Sequence, residues 1–174
     1  MIVEEFISRT GIKCLYHFTD KENLPLIRQH GLNSLSLLNE KGITPPKAGG
    51  NEWSQRADQR KGLNKYVHLC LLGFHPMEHM ARKEGRISHV EFLEISKEVL
   101  SFNGVMGCPQ VANESNSNIL PVEDAFEKID IKLLFRSNLD FKNIVNQYNC
   151  KDAAKAEILI PDKIDKKYIL NLNS

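Results

Sequence analysis

Cysteine is scarce and scattered in this 174-residue chain. The four thiols, at positions 14, 70, 108 and 150, form no C-x-x-C pair and have no histidine at zinc-ligand spacing, which argues against a zinc module or a disulfide scaffold. Long apolar runs are missing too: the longest, Tyr66 to Phe74, is interrupted by His68 and falls far short of a membrane span. The first residues, Met-Ile-Val-Glu-Glu-Phe, are acidic where a secretory signal would be basic. A cytoplasmic protein with reduced thiols, no metal and no membrane segment is therefore expected. The chain also lacks a glycine-rich phosphate loop, a G-x-S-x-G elbow, an H-E-x-x-H pair and any long-period repeat. Ten glycines, seven prolines and 41% hydrophobic residues exclude collagen-like and disordered classes. What remains is an ordinary soluble composition, long enough for one domain over residues 1–174 with a core that needs no staples.

Net charge is only +1, but it is unevenly distributed. Residues 47–86 carry eight basic against four acidic side chains, and residues 87–130 carry two against eight. The basic stretch also holds His68, His75 and His79. It suits either a polyanion or a solvated face.

Periodicity and turn chemistry predict a mixed fold. Ile2, Val3, Phe6 and Ile7 share a helical face that Gly11 can end. A strand over Cys14 to Phe18 leads into a helix with capping-box spacing at Thr19 to Glu22, closed by Gly31, with Pro25 confined to its first turn. Residues 41–51 read as a loop. Tyr66 to Leu72 reads as a buried strand, Pro76 to Gly85 as a short helix, and His89 to Ile95 as a half-exposed strand. Residues 103–121 read as a long loop, a common place for binding. A helix from Pro121 to Ile129 and strands at Ala156 to Pro161 and Tyr168 to Leu172 complete the chain. Helices and strands do not alternate strictly, so the expected class is α+β.

Polar residues within apolar strands are the candidates for chemistry. His17 interrupts Leu15-Tyr16-His17-Phe18, with Thr19 next to it at the strand end. Glu157 enters Ala156-Glu157-Ile158-Leu159, where a carboxylate either faces solvent on an alternating strand or must be paired or used. Arg56 and Arg60 share a helical face at i, i+4, as a solvated basic face would.

The order of these parts resembles that of DarT-type DNA ADP-ribosyltransferases. The opening Leu15-Tyr-His-Phe-Thr-Asp-Lys-Glu-Asn-Leu-Pro-Leu-Ile, followed by Gly31-Leu32, is similar to the family's Tyr-His-x-Thr and Asn-Leu-Pro-x-Ile segments. Tyr66 to Met77 resembles its strand ending in Pro-Met, Val90 to Asn103 its next strand and turn, and Lys155-Ala-Glu-Ile-Leu-Ile-Pro its late Ala-Glu strand. The resemblance spans about residues 13–172. It departs at Tyr-Val-His-Leu-Cys-Leu, where the family's strand is Tyr-Val-Pro-Phe-Tyr-Phe, and at His75, where arginine is common.

The resemblance implies an ADP-ribosyltransferase-like split β-sheet with flanking helices and NAD as co-substrate in a cleft, without metal. It implies His17, Thr19 and Asn23 on NAD, Glu157 as the catalytic glutamate, and Arg56, or alternatively Arg60, as an arginine on NAD or the acceptor. It further implies transfer to a base of single-stranded DNA by a toxin or anti-phage effector, with a macrodomain antitoxin as partner. Glutamate is suited to such chemistry because a carboxylate on the ribose hydroxyl stabilises positive charge developing as nicotinamide leaves, and it can also take a proton from the attacking base. Two other readings stay open: an NAD-dependent RNA 2′-phosphotransferase relative, and a non-catalytic nucleic-acid-binding relative.

Overall fold

The computed structural model describes residues 1–135 and 153–172; Cys150 lies outside them. Helix α1 (Val3–Thr10) buries Val3 and Phe6 and ends at Gly11. Strand β1 (Cys14–Asp20) runs two residues beyond its predicted end. The cap is Asp20 rather than Thr19, whose hydroxyl is engaged elsewhere: the Asp20 carboxylate accepts from the Glu22 N–H at 3.0 Å over a single 3-10 turn. Helix α2 (Leu24–His30) follows, with Pro25 in its first turn. Next come β2 (Leu32–Asn33), α3 (Leu35–Glu40), the 41–51 loop and α4 (Glu52–Lys61). Ser34 caps α3 and Asn51 caps α4, each through its side-chain oxygen.

Strand β3 (Tyr66–Cys70) leads through His75 into α5 (Pro76–Lys83), and β4 (Val90–Ser96) returns. The 103–121 stretch is not all loop: it holds β5 (Met106–Cys108) and opens β6 (Leu120–Pro121), short pieces with few apolar residues to signal them. Helices α6 (Val122–Lys128) and α7 (Ile131–Leu134) precede β7 (Glu157–Pro161) and β8 (Lys163–Ile164). The strand expected at Tyr168 to Leu172 is absent. That segment is a 3-10 turn followed by one isolated bridge, Ile169 to Ile95.

Six strands form an antiparallel sheet in the order β4-β1-β3-β7-β5-β6, and β2 pairs with β8. Strand β7 lies near the middle, and Ile158, Leu159 and Ile160 are fully buried, as expected for a strand covered on both faces. Helix α6 packs on β5 at Gly107, where an added Cβ would stand 2.6 Å from the Ala125 Cβ. Although continuous, the sheet is almost divided. β1 and β4 pair over seven residues, whereas β1 meets β3 at one registered pair, Tyr16 and Cys70. Beyond that point the two strands splay, which is the split expected of the fold class. The His17 Nδ1–H donates across the gap to the His68 carbonyl at 2.9 Å, in place of a ladder bond.

Asp20 fastens the far end of β1. Its carboxylate also accepts from the Ser88 and His89 N–H groups, at 2.6 and 3.1 Å, and these three backbone donors hold it at about pKa 2. Because the folded value lies below the ordinary 3.8, the linked stability is present above that pH and is lost as pH falls through about 2. Asp20→Asn is accordingly expected to lower the melting temperature at pH 7, with the deficit shrinking on acidification towards pH 2. Thermal melts across that range check it.

Candidate active site

The splayed strands open a cleft lined by His17, Thr19 and Asp20 of β1, by Leu32 and Asn33 of β2, by β3, and by Glu157 at the start of β7. Residues 45 and 47–50 of the loop, together with Ser54, Gln55 and Asp58 of α4, form one wall. The 109–119 segment supplies Val111 and Asn113. That segment is tied to α4: the Asn113 amide donates to Ser54 Oγ at 2.8 Å, and the Lys61 ammonium donates to the carbonyls of Ala112 and Glu114.

Glu157 faces the cleft rather than bulk solvent and is only 6% exposed. The strand register explains its chief partner. Cys70 lies opposite Glu157, so His68, two residues from Cys70, sits diagonally on the same face, within reach of a long side chain. The His68 Nδ1–H donates to Glu157 Oε2 at 2.8 Å. Burial alone would lower the His68 pKa, but the Glu157 carboxylate, with help from Asp58 and the Leu63 carbonyl, outweighs it and raises the imidazole to about 9. For Glu157 burial works upward and is again outweighed, chiefly by the His68 hydrogen bond and charge with help from the Ala112 backbone, so its pKa is lowered. The pair is therefore imidazolium and carboxylate at neutral pH.

His75 flanks the other oxygen. Its Nδ1 accepts from the Met77 N–H at 3.2 Å, which leaves the proton on Nε2, 3.9 Å from Glu157 Oε1. Burial lowers the His75 pKa, keeping this ring neutral. Two of the three histidines of the basic stretch thus lie beside the glutamate, one of them bonded to it, while His79 is exposed. No sequence period marks them; only the pairing of β3 with β7 brings His68 to Glu157.

On the opposite side of the split, burial lowers the His17 pKa, so this imidazole is also neutral. With Nδ1–H donating to the His68 carbonyl, Nε2 is an acceptor, the form needed to receive a hydroxyl proton. Thr19 lines the cleft nearby. Asn23 is there as well, but its amide is engaged within the protein: Nδ2 donates to Thr19 Oγ1 at 3.0 Å and to the Lys47 carbonyl at 2.8 Å, and Oδ1 accepts from the Lys47 N–H at 3.0 Å. These bonds tie the 41–51 loop, at Lys47, to the end of β1.

Arg56 is not brought to the cleft. Its side chain is 76% exposed on the outer face of α4 and lies 3.7 Å from Glu52, one turn away. Arg60 is exposed on the same side. The inner positions of α4 are instead Ser54 and Asp58, so the two arginines occupy the solvated face that i, i+4 spacing allowed. Among the described residues Lys47 is the sole lysine or arginine lining the cleft, and sequence reading passed over it as loop.

The sequence matches, over residues 16–172, the family model described as "ssDNA thymidine ADP-ribosyltransferase, DarT". The chain belongs to the DarT family. Solved DarT structures share the fold. Thermus sp. 2.9 DarT in complex with ADP-ribosylated ssDNA matches with a TM-score of 0.66 at 15% identity, covering 91% of this chain and 79% of that one. The same protein in complex with NAD+ matches with a TM-score of 0.60 at 18% identity, over 91% and 79%. Thermosipho africanus DarTG in complex with ADP-ribose reaches 0.69 at 19% identity, over 90% of this chain and 42% of that one. No curated protein matches. DarT membership favours the first of the three readings of the sequence, an NAD-dependent ADP-ribosyltransferase. Among the described residues no group of three or more His, Cys, Asp or Glu is arranged for a metal ion, and no helix is long and apolar enough to cross a membrane.

The His68 contact yields a kinetic expectation. His68→Gln keeps a donor near Glu157 but removes the positive charge, leaving burial to raise the carboxyl pKa. The acidic limb of the kcat/KM profile should move upward by about one pH unit, with activity above that limb largely kept. A pH series of initial rates checks it.

Proposed function

We propose that this DarT-family chain transfers ADP-ribose from NAD to the base of thymidine in single-stranded DNA, within the cleft between β1 and β3. The observation that carries the reading is the buried, ionised Glu157, aimed by His68 and facing a cleft whose other wall presents His17 with a free acceptor nitrogen. Glu157 Oε1 accepts a ribose hydroxyl of NAD and stabilises positive charge at C1 of that ribose as the bond to nicotinamide weakens. His17 Nε2 accepts a hydroxyl of the adenosine ribose, with Thr19 beside it. Lys47, held by Asn23, takes the pyrophosphate in place of Arg56.

Arg56 and Arg60 serve from outside the cleft. They share the exposed face of α4 with Trp53, which is 65% exposed, and this combination suits the phosphates and unstacked bases of single-stranded DNA. The reading extends to a toxin whose modification a macrodomain partner reverses. It is supported by the resemblance of the sequence and by the structural likeness to a DarTG protein.

The test is direct. Purified protein is incubated with NAD and single-stranded oligonucleotides with and without thymidine, and intact mass is read. The expected result is one added ADP-ribose per modified thymidine, absent with Glu157→Ala. Failure of thymidine oligonucleotides to gain mass, with NAD present and the protein folded, would overturn the proposal.

A further inference from the structure

The site described so far makes no use of Asp58, a cleft residue on α4. It follows Ser54 by one turn on the inner face of α4, lines the same cleft as Glu157, and has a buried oxygen, Oδ1, with no hydrogen-bond partner. Buried acceptors are nearly always satisfied, so an orphan oxygen in a binding cleft marks a place where a ligand donates. The groups that face it are His68 on β3, Glu157 on β7, Lys61 on its own helix and the Asn113 amide of the 109–119 segment. Burial is the largest influence and raises its pKa; Glu157 adds to the rise, while His68, Asn113 and Lys61 oppose it. The cleft therefore holds two carboxyls with opposite tendencies. Glu157 is held ionised by a full hydrogen bond, and Asp58 is kept more basic by its surroundings. Such a divergence separates an electrostatic role from a proton-accepting one.

Resting on the thymidine reading above, we propose that Asp58 is the catalytic base that takes the N3 proton of the acceptor thymine. Thymine in DNA has one ring N–H, at N3, so attachment at a ring nitrogen must release that proton. In the step, the N3–H bond breaks and the proton passes to the Asp58 carboxylate. The electron pair on N3 forms the bond to C1 of the ribose, and the C1–nicotinamide bond breaks with its pair leaving on neutral nicotinamide. The positive charge of the nicotinamide ring is thereby replaced by the proton on Asp58. Other titratable groups of the cleft are less suited: Asp20 is held by three backbone donors, burial keeps the Cys70 thiol protonated, and the His75 acceptor nitrogen is taken by the Met77 N–H. His68 is already protonated, Glu157 has one oxygen on His68 and the other for the ribose, and His17 belongs to the opposite wall.

The test compares wild type, Asp58→Asn and Asp58→Glu on single-stranded oligonucleotides carrying one thymidine, or one 5-fluorodeoxyuridine, whose N3–H is more acidic. Single-turnover rates are measured with saturating NAD from pH 6 to 10. Asp58→Asn should lose about 10²-fold or more on thymidine at neutral pH. The KM for NAD should be little changed, and the rate should climb with pH as the base ionises unaided. The deficit should shrink on 5-fluorodeoxyuridine, and Asp58→Glu should recover part of the rate and the flatter profile. An equal deficit on both acceptors at every pH, or an undiminished rate, would overturn the assignment of Asp58 alone. Absence of any adduct with wild type would overturn the thymidine reading and this inference together. If Asp58→Asn melts well below wild type, the comparison of the two acceptors with Asp58→Glu decides.

Discussion

Glu157→Gln is expected to lose about 10³-fold in kcat for ADP-ribose transfer while leaving the protein folded and the KM for NAD within a small factor. The magnitude follows from removing a full negative charge where positive charge develops, inside a cleft where few water molecules can replace it. Folding survives because glutamine is nearly isosteric and its carbonyl oxygen can still accept from His68 Nδ1–H, now neutral. That neutrality is itself measurable. With the carboxylate gone, the desolvation of His68 is no longer outweighed, and its pKa should fall from about 9 to below the ordinary 6.5. NMR titration of the ring protons reads this directly. In the native protein the His68 contribution to stability is full below pH 6.5 and is lost as pH rises through about 9, whereas the Glu157 contribution is present above 4.5 and is lost on acidification below it. The ion pair therefore stabilises most between those two ordinary values. In Glu157→Gln the loss of stability between neutral pH and pH 9 should largely vanish.

Gly31→Ala should be the most damaging of the small substitutions, lowering stability by about 3 kcal/mol or more and the melting temperature by about 10 °C. Two effects coincide there. The residue has φ 74° and ψ −171°, a region nearly restricted to glycine, and an added Cβ would stand 2.5 Å from the Ile164 carbonyl oxygen. That oxygen belongs to β8, whose pairing with β2 forms a cleft wall, so relieving the collision must move Leu32 and Asn33. Gly11 provides the control. It also has positive φ, at 63°, yet nothing lies within 4 Å of its added Cβ, so Gly11→Ala should cost only about 1 kcal/mol. Chemical denaturation of the two variants separates strain from collision.

Local chemistry was the most legible part of the sequence. Gly11, Pro25 and Pro76 mark helix boundaries because their backbone preferences act whatever surrounds them. Apolar runs located β3 and β7, and the two out-of-place polar residues, His17 and Glu157, do line one cleft. What depended on pairing between distant strands was hidden. His68 looked like part of a basic surface until its register with Glu157 placed it on the same face. Arg56 and Asp58 lie two positions apart, and no pattern in Gln-Arg-Ala-Asp-Gln-Arg says which of them turns inward. That choice is made by Ser54 and Ala57, which α4 buries against the rest of the chain. The short β5 and β6 and the turn after Lys166 were missed because two or three residues carry no period.

The single registered pair between β1 and β3 also bears on how quickly a ligand can enter. In an ordinary sheet, prising two central strands apart would break a ladder of backbone hydrogen bonds. Here the gap is already present, bridged near its apex by one imidazole, so insertion does not have to wait for the sheet to open. Association of NAD should therefore follow the viscosity of the solvent, with little activation enthalpy of its own, and the slower events should lie in dissociation.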